Sequence, residues 1–191
     1  MATRLGSLIG RRLRQRRRDF ARDERGATLI EFAILALPFF SIVGAILETS
    51  VVFLSGQVLE SATQDVSRLI RTGQAQGMMS APEDFKSRIC ARVYGLFPNC
   101  ETDLHVEVQT ITDFDSATIS PPIDWSCEEN CDAQWTRDEQ YSSGGGGSIM
   151  MVQVYYKWPI MISLGDMTLG NLPGNKRLMS ASTVFRNEPF T

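Results

Sequence analysis

The chain has 191 residues and a net charge of −3, enough for one domain of moderate size beside a membrane anchor. The total conceals an asymmetry: residues 1–26 hold nine Arg against Asp19, Asp23 and Glu24, a net +6, and the remainder carries −9. The Arg run abuts an apolar segment and has no interleaved aromatics. It therefore argues against a nucleic-acid partner and, by the positive-inside rule, keeps that end in the cytoplasm and the acidic remainder outside.

Residues 1–26 read as a basic cytoplasmic leader with a weak amphipathic patch at Leu5, Leu8, Ile9 and Leu13. The run FAILALPFFSIVGAIL at 32–47 carries no charge. As helix it rises roughly 24 Å, short of the roughly 30 Å hydrocarbon core, and adding 27–30 and 51–54 makes the span adequate. A transmembrane helix over 27–54 follows, with Glu48 near its outer edge. Pro38 removes one helical hydrogen bond and is expected to kink or locally melt the span. Ser41, Gly44 and Ala45 form a small-residue patch that another helix could approach closely. A secretory signal peptide fits poorly: the leader is long, the apolar run outlasts an ordinary signal core, and no A-x-A site follows. An uncleaved single-pass anchor is the alternative.

The helical pattern continues over 55–73. Val58, Ala62, Val66, Leu69 and Ile70 recur at three- and four-residue steps, and Gly73 is suited to close the helix. One helix over about 28–72 would be on the order of 65 Å long; two helices broken at Ser55-Gly56 are the alternative. A second helix fits 82–96, with Ser80 as its cap, Pro82 in the first turn and Glu83 and Asp84 at its positive end. Phe85, Ile89, Val93 and Leu96 share a face, and Gly95 and Pro98 end it.

Strand signals follow. Leu104, Val106 and Val108 alternate with His105, Glu107 and Gln109, predicting one apolar and one wet face. His105, the only histidine, is expected to face solvent. Residues 149–158 and 178–186 are strong strands, and 161–168 a weak extra one. The segment 113–148 is long for a loop in a compact domain. It has eight acids against one Arg and a run of glycines at 144–147, and reads as a flexible acidic surface excursion with Trp125 and Trp135 available to fold back. The predicted class is α+β: a long N-terminal transmembrane helix continues into a small antiparallel-sheet domain, residues 74–191, with one covering helix, a pilin-like lollipop.

All four cysteines, Cys90, Cys100, Cys127 and Cys131, fall in the part expected outside, where disulfides form. Proximity favours Cys90 with Cys100 and Cys127 with Cys131, but three pairings are open. Cys127-Glu-Glu-Asn-Cys131 lacks the second pair or nearby His of a zinc site, and Glu128, Glu129 and Asp132 lack calcium-loop spacing. A lone His without a nucleophile motif, and glycines without a following Lys-Ser/Thr, give no catalytic or phosphate-binding signature. No enzyme activity, metal or cofactor is expected.

Glu31 is the exception to this bland chemistry. A carboxylate within a membrane helix costs at least about 2.5 kcal/mol and is a functional-site hypothesis by default; snorkelling to the interface is the milder reading. The stretch Arg25-Gly26-Ala27-Thr28-Leu29-Ile30-Glu31-Phe32 resembles the class III signal of type IV prepilins and pseudopilins. RDERGATLIEFAILALPFF, with the ending Arg186-Asn187-Glu188-Pro189-Phe190, resembles a TadE-like protein of the tight-adherence (Flp) pilus system. The resemblance implies a bacterial inner-membrane pseudopilin or minor pilin that a prepilin peptidase cuts between Gly26 and Ala27. It implies that Glu31, next to Phe32, pairs with the free amine of Ala27 on a neighbouring subunit. Partners would be that peptidase, other pilin subunits and inner-membrane assembly proteins, in a pilus serving attachment and biofilm formation. A second, different function class is a membrane-anchored binding module using the acidic loop with Trp125, Trp135, Tyr155 and Tyr156.

Overall fold

The computed structural model describes residues 24–125, 134–162 and 168–190. Most of the leader, Cys127, Cys131 and the centre of the weak strand expected at 161–168 lie outside them. The chain divides within its first helix: residues up to Ala45 form one unit and Ile46–Thr191 the other.

Helix α1, Glu24–Arg71, is a single helix of 48 residues, about 72 Å at 1.5 Å per residue. It passes through Pro38 and Ser55-Gly56 without interruption. Pro38 forfeits one backbone bond, and the turns on either side carry the helix past it. In the second unit one stripe of α1 is buried: Val52, Ser55, Leu59, Ala62, Thr63, Val66, Ser67 and Ile70. The stripe is centred on Leu59 and Thr63, and Val58 and Leu69 fall on its margins. Gly73 follows in the left-handed conformation, φ 77°, donating to the Ile70 carbonyl; glycine takes that conformation without a Cβ clash.

Helix α2, Pro82–Arg92, is shorter than 82–96, because Tyr94 and Gly95 both adopt positive φ. Its cap is also different from the one expected. The Asp84 carboxylate reaches back to accept from the Ser80 and Ala81 amides at 2.8 and 3.2 Å. These two bonds hold the Asp84 carboxyl below its ordinary pKa. A disulfide joins Cys90 of α2 to Cys100 at the start of the short helix α3, Cys100–Asp103.

The sheet has four strands: β1 Leu104–Ile111, β2 Gln140–Tyr141, β3 Ile149–Pro159 and β4 Lys176–Arg186, in the order β2-β1-β3-β4. β1, β3 and β4 are antiparallel neighbours, with Val106 opposite Val154 and Gln153 opposite Ser182. β2 runs parallel to β1, so the sheet is mixed and not purely antiparallel. The excursion after β1 is long enough to return the chain in the same direction, as a parallel pair requires. Met161 and Ile162 lie past the end of β3 and in no strand.

One sheet face carries Val106, Val108, Val152, Val154, Tyr156, Met179 and Ala181. It shares a core with Leu59, Val66 and Ile70 of α1 and Phe85 and Ile89 of α2. Phe97 sits edge-on to Tyr156 and Trp158 at 4.7 and 5.3 Å between ring centres, adding about 0.5–1.5 kcal/mol per pair beyond the buried area.

Candidate functional site

In its first unit α1 is an apolar helix presented outward. Leu29, Phe32 and Leu37 are 72%, 67% and 73% exposed, and Ile30, Ile34, Leu35, Phe39, Phe40 and Ile42 are comparably open. Its sequence and length suffice to cross a membrane. Gly26, Ala27 and Glu31 are exposed on this helix. Among the described residues Glu31 has neither a hydrogen-bond partner nor a counter-charge within its own chain. An acid set among apolar side chains and unpaired at home is suited to a partner supplied from outside. Ser41, of the small-residue patch, turns its hydroxyl onto the Leu37 carbonyl at 2.8 Å, leaving a less polar surface there.

Glu48, expected near the outer edge of the span, makes a definite contact within the second unit. It is 8% exposed, and its Oε1 accepts from the Met161 amide at 3.0 Å. It thereby ties the chain leaving β3 to α1. Only the long sequence separation hid this contact.

The face of the sheet opposite the core is not wet. His105 is 2% exposed and Glu107 is buried beside it. Trp135 folds back and stacks on His105 at 4.6 Å between ring centres, and Lys157 lies over the Trp135 ring at 4.0 Å. Glu107 accepts from Arg137 through both oxygens, at 3.1 and 3.0 Å, and contacts His105 Nε2 at 3.2 Å. Tyr155 donates to Gln153, and burial pushes its phenol up to about 12. The alternation in β1 was right about which residues share a face and wrong about solvent, because the returning segment around Trp135 supplies a lid. Tyr155 and Tyr156 are both buried, which removes them from any ligand-binding surface; Trp125 remains exposed.

Among the described residues the cluster's polar groups bond to one another, and stacking and ion pairing hold the returning segment on the sheet. Burial, opposed by the Glu107 hydrogen bond, pushes the His105 imidazole below its ordinary pKa. The unfolded chain then binds a proton that the folded chain refuses, so stability is held above the unfolded pKa of about 6.5 and is lost as pH falls below it. Thermal unfolding followed from pH 7.5 to 5 should give a falling Tm. The His105→Gln variant should show a shallower slope. Equal slopes would mean that folding leaves the His105 pKa unchanged, and a steeper slope in the variant would mean that the fold favours its protonated form.

The family model described as TadE-like protein matches residues 26–68. The match begins at Gly26, takes in Ala27 and Glu31, and runs down α1 to Arg68. Over these residues the N-terminal helix is similar to TadE-like proteins. No curated protein and no solved structure matches the chain. The TadE-like family is pilus-associated and structural, not enzymatic, and the match points to involvement in the tight-adherence pilus system.

The matched segment thus carries both the exposed apolar turns and most of the buried stripe that belongs to the second unit. The ending Arg186-Asn187-Glu188-Pro189-Phe190 lies beyond the match but meets the end of the same helix. The Glu188 amide donates to the Arg71 carbonyl at 2.9 Å, and the Phe190 ring rests where a side chain at Gly73 would stand. Gly26, Ala27, Glu31 and Phe32 are brought together by helix position alone. Cys90 and Cys100 are bonded to each other, and Cys127 and Cys131 lie outside the described residues.

Proposed function

We propose that the chain is a pseudopilin or minor pilin of a tight-adherence (Flp-type) pilus. The observation that carries this reading is an exposed, membrane-length apolar helix, inside the TadE-like match, holding one unpaired acid five positions after Gly26. A prepilin peptidase cuts between Gly26 and Ala27, and the basic leader keeps that end in the cytoplasm until then. Glu31 pairs with the Ala27 amine of a neighbouring subunit. The apolar turns over 32–54 exchange lipid for other helices, and the sheet domain lies in the periplasm, where the Cys90–Cys100 bond is maintained. Hydrophobicity alone gives no preference between lipid and helix, so close packing and the ion pair set specificity.

Intact-mass and N-terminal analysis of the protein from its native membrane tests the first step. The expected product begins at Ala27, and substitution of Gly26 by Val leaves the leader attached. A leader retained on the wild-type chain would favour an uncleaved anchor for a periplasmic assembly factor.

A further inference from the structure

The two edges of the sheet are finished differently. At β1 the outer edge is closed: the Glu139 carboxylate accepts from the Val106 amide at 3.1 Å, β2 pairs alongside, and the Ser142 amide donates to the Val108 carbonyl at 2.9 Å. At β4, among the described residues, only the beginning is covered. Asn171 and Leu172 donate to the Lys176 carbonyl, and the Leu178 amide donates to the Asn171 side chain. Those bonds mark the outward-pointing backbone positions of β4, and the antiparallel alternation continues them at Ser180, Ser182 and Val184. No described residue pairs with these outward groups. The run Ser180-Ala181-Ser182-Thr183-Val184 has no charge, no proline and no bulge, the devices by which proteins protect a free edge.

Beneath this edge lies an open groove of about 330 Å³, lined by Gln64, Asp65, Ser67, Arg68 and Arg71 of α1 and by Thr183 and Phe185 of β4. Ser67 is 3% exposed, and among the described residues its Oγ has no hydrogen-bond partner. By contrast, Ser41, Ser50, Ser55 and Thr63 of the helix, and Thr72 just past its end, each donate to the carbonyl four residues back. A buried hydroxyl left unpaired costs free energy, and here it faces a groove that a further strand would roof. The charges around the edge are mainly basic: Lys176, Arg177 and Arg186 on β4 and Arg68 and Arg71 on α1, against Asp65 and Glu188. Arg68 makes no ion pair among the described residues, and Arg71 reaches Glu188 only at 3.9 Å.

We infer that the outer edge of β4 is a docking site for an extended, acidic segment of a partner protein. The segment adds to the sheet as a fifth strand. Its backbone pairs with Ser180, Ser182 and Val184. An inward-facing carboxylate or amide engages Ser67 and Arg68. The inference stands apart from the pilus reading, since it uses no residue before Gln64.

The test uses the full chain in detergent micelles and the synthetic peptide Thr-Val-Glu-Val-Glu-Val-Thr, with Thr-Val-Lys-Val-Lys-Val-Thr as its control. The acidic peptide should slow amide exchange at Ser180, Ser182 and Val184 and bind at least about tenfold more tightly than the basic one, the equivalent of one good polar contact. Ser182→Pro removes an outward donor at an edge position that tolerates proline. It should leave the melting temperature within a few degrees and abolish the protection. Ser67→Ala should keep the fold and weaken binding. Equal binding of the two peptides, or protection that survives Ser182→Pro, overturns the proposal. So does protection that appears only through self-association of the chain, with no response to peptide.

Discussion

Replacing Glu31 with Val is expected to abolish pilus formation and surface adherence while the protein stays in the membrane and its sheet domain stays folded. The two halves of that result belong together. Removing a carboxylate from an apolar helix relieves about 2.5 kcal/mol or more of insertion cost, so the variant should be anchored at least as well as the wild type. Loss of assembly then cannot be blamed on failed insertion. Nor can it be blamed on the core, since Glu31 precedes the buried stripe that begins with Glu48 and Val52. Glu31→Gln sharpens the point: it keeps the size and a hydrogen-bonding head and removes only the charge. If the partner is the Ala27 amine, Gln should fail nearly as completely as Val, because a neutral amide in a low-dielectric setting replaces an ion pair with one ordinary hydrogen bond. Leader removal, read by mass, should be unchanged in both. Normal piliation by either variant would reduce Glu31 to an acid resting at the membrane surface.

The features that depend on neighbours in sequence are legible in the sequence itself. The continuous helix, the strands expected from Leu104 onward, at 149–158 and at 178–186, and the helix beginning at Pro82 are local patterns: three- and four-residue recurrence, alternation, and proline and glycine as punctuation. The acid after Gly26 is visible for the same reason, since its meaning lies in spacing along one helix. The remaining features depend on the returning segment. His105 and Glu107 look like a wet face because nothing near them in sequence says that Trp135 and Arg137 will cover it. β2 is two residues long, too short to carry a pattern, yet it makes the sheet mixed. Glu48 meets Met161 across more than half the chain. The orphan hydroxyl of Ser67 and the open edge of β4 are relations between a helix and a strand, and no one-dimensional pattern records them.

The glycine run and the chain ending supply the second large effect, at Asn187. This residue is 3% exposed. Its Nδ2 donates to the Ser143 and Gly145 carbonyls, both at 3.0 Å, and its amide donates to the Ser148 carbonyl at 2.8 Å. Gly146 lies so close to the Phe190 backbone that a Cβ there would collide with it, and the Gln76 side chain donates to the Gly144 carbonyl. The run at 144–147 therefore forms a seat for the ending, which in turn reaches Arg71 and Gly73 at the end of α1. Asn187→Ala removes two donors from partly covered carbonyls and should cost about 1–3 kcal/mol, or about 2–10 °C in Tm for a domain of this size. Asn187→Asp should be worse, although it is the closer match in shape. Its carboxylate would face two carbonyl oxygens, and among the described residues the Asn187 Oδ1 already lacks a donor, so the new charge gains nothing there to offset its desolvation. Thermal melts of the two variants in the same detergent, followed by near-ultraviolet circular dichroism, should rank wild type above Ala and Ala above Asp. An Asp variant as stable as the wild type would mean that the two carbonyls are not where Asn187 is held.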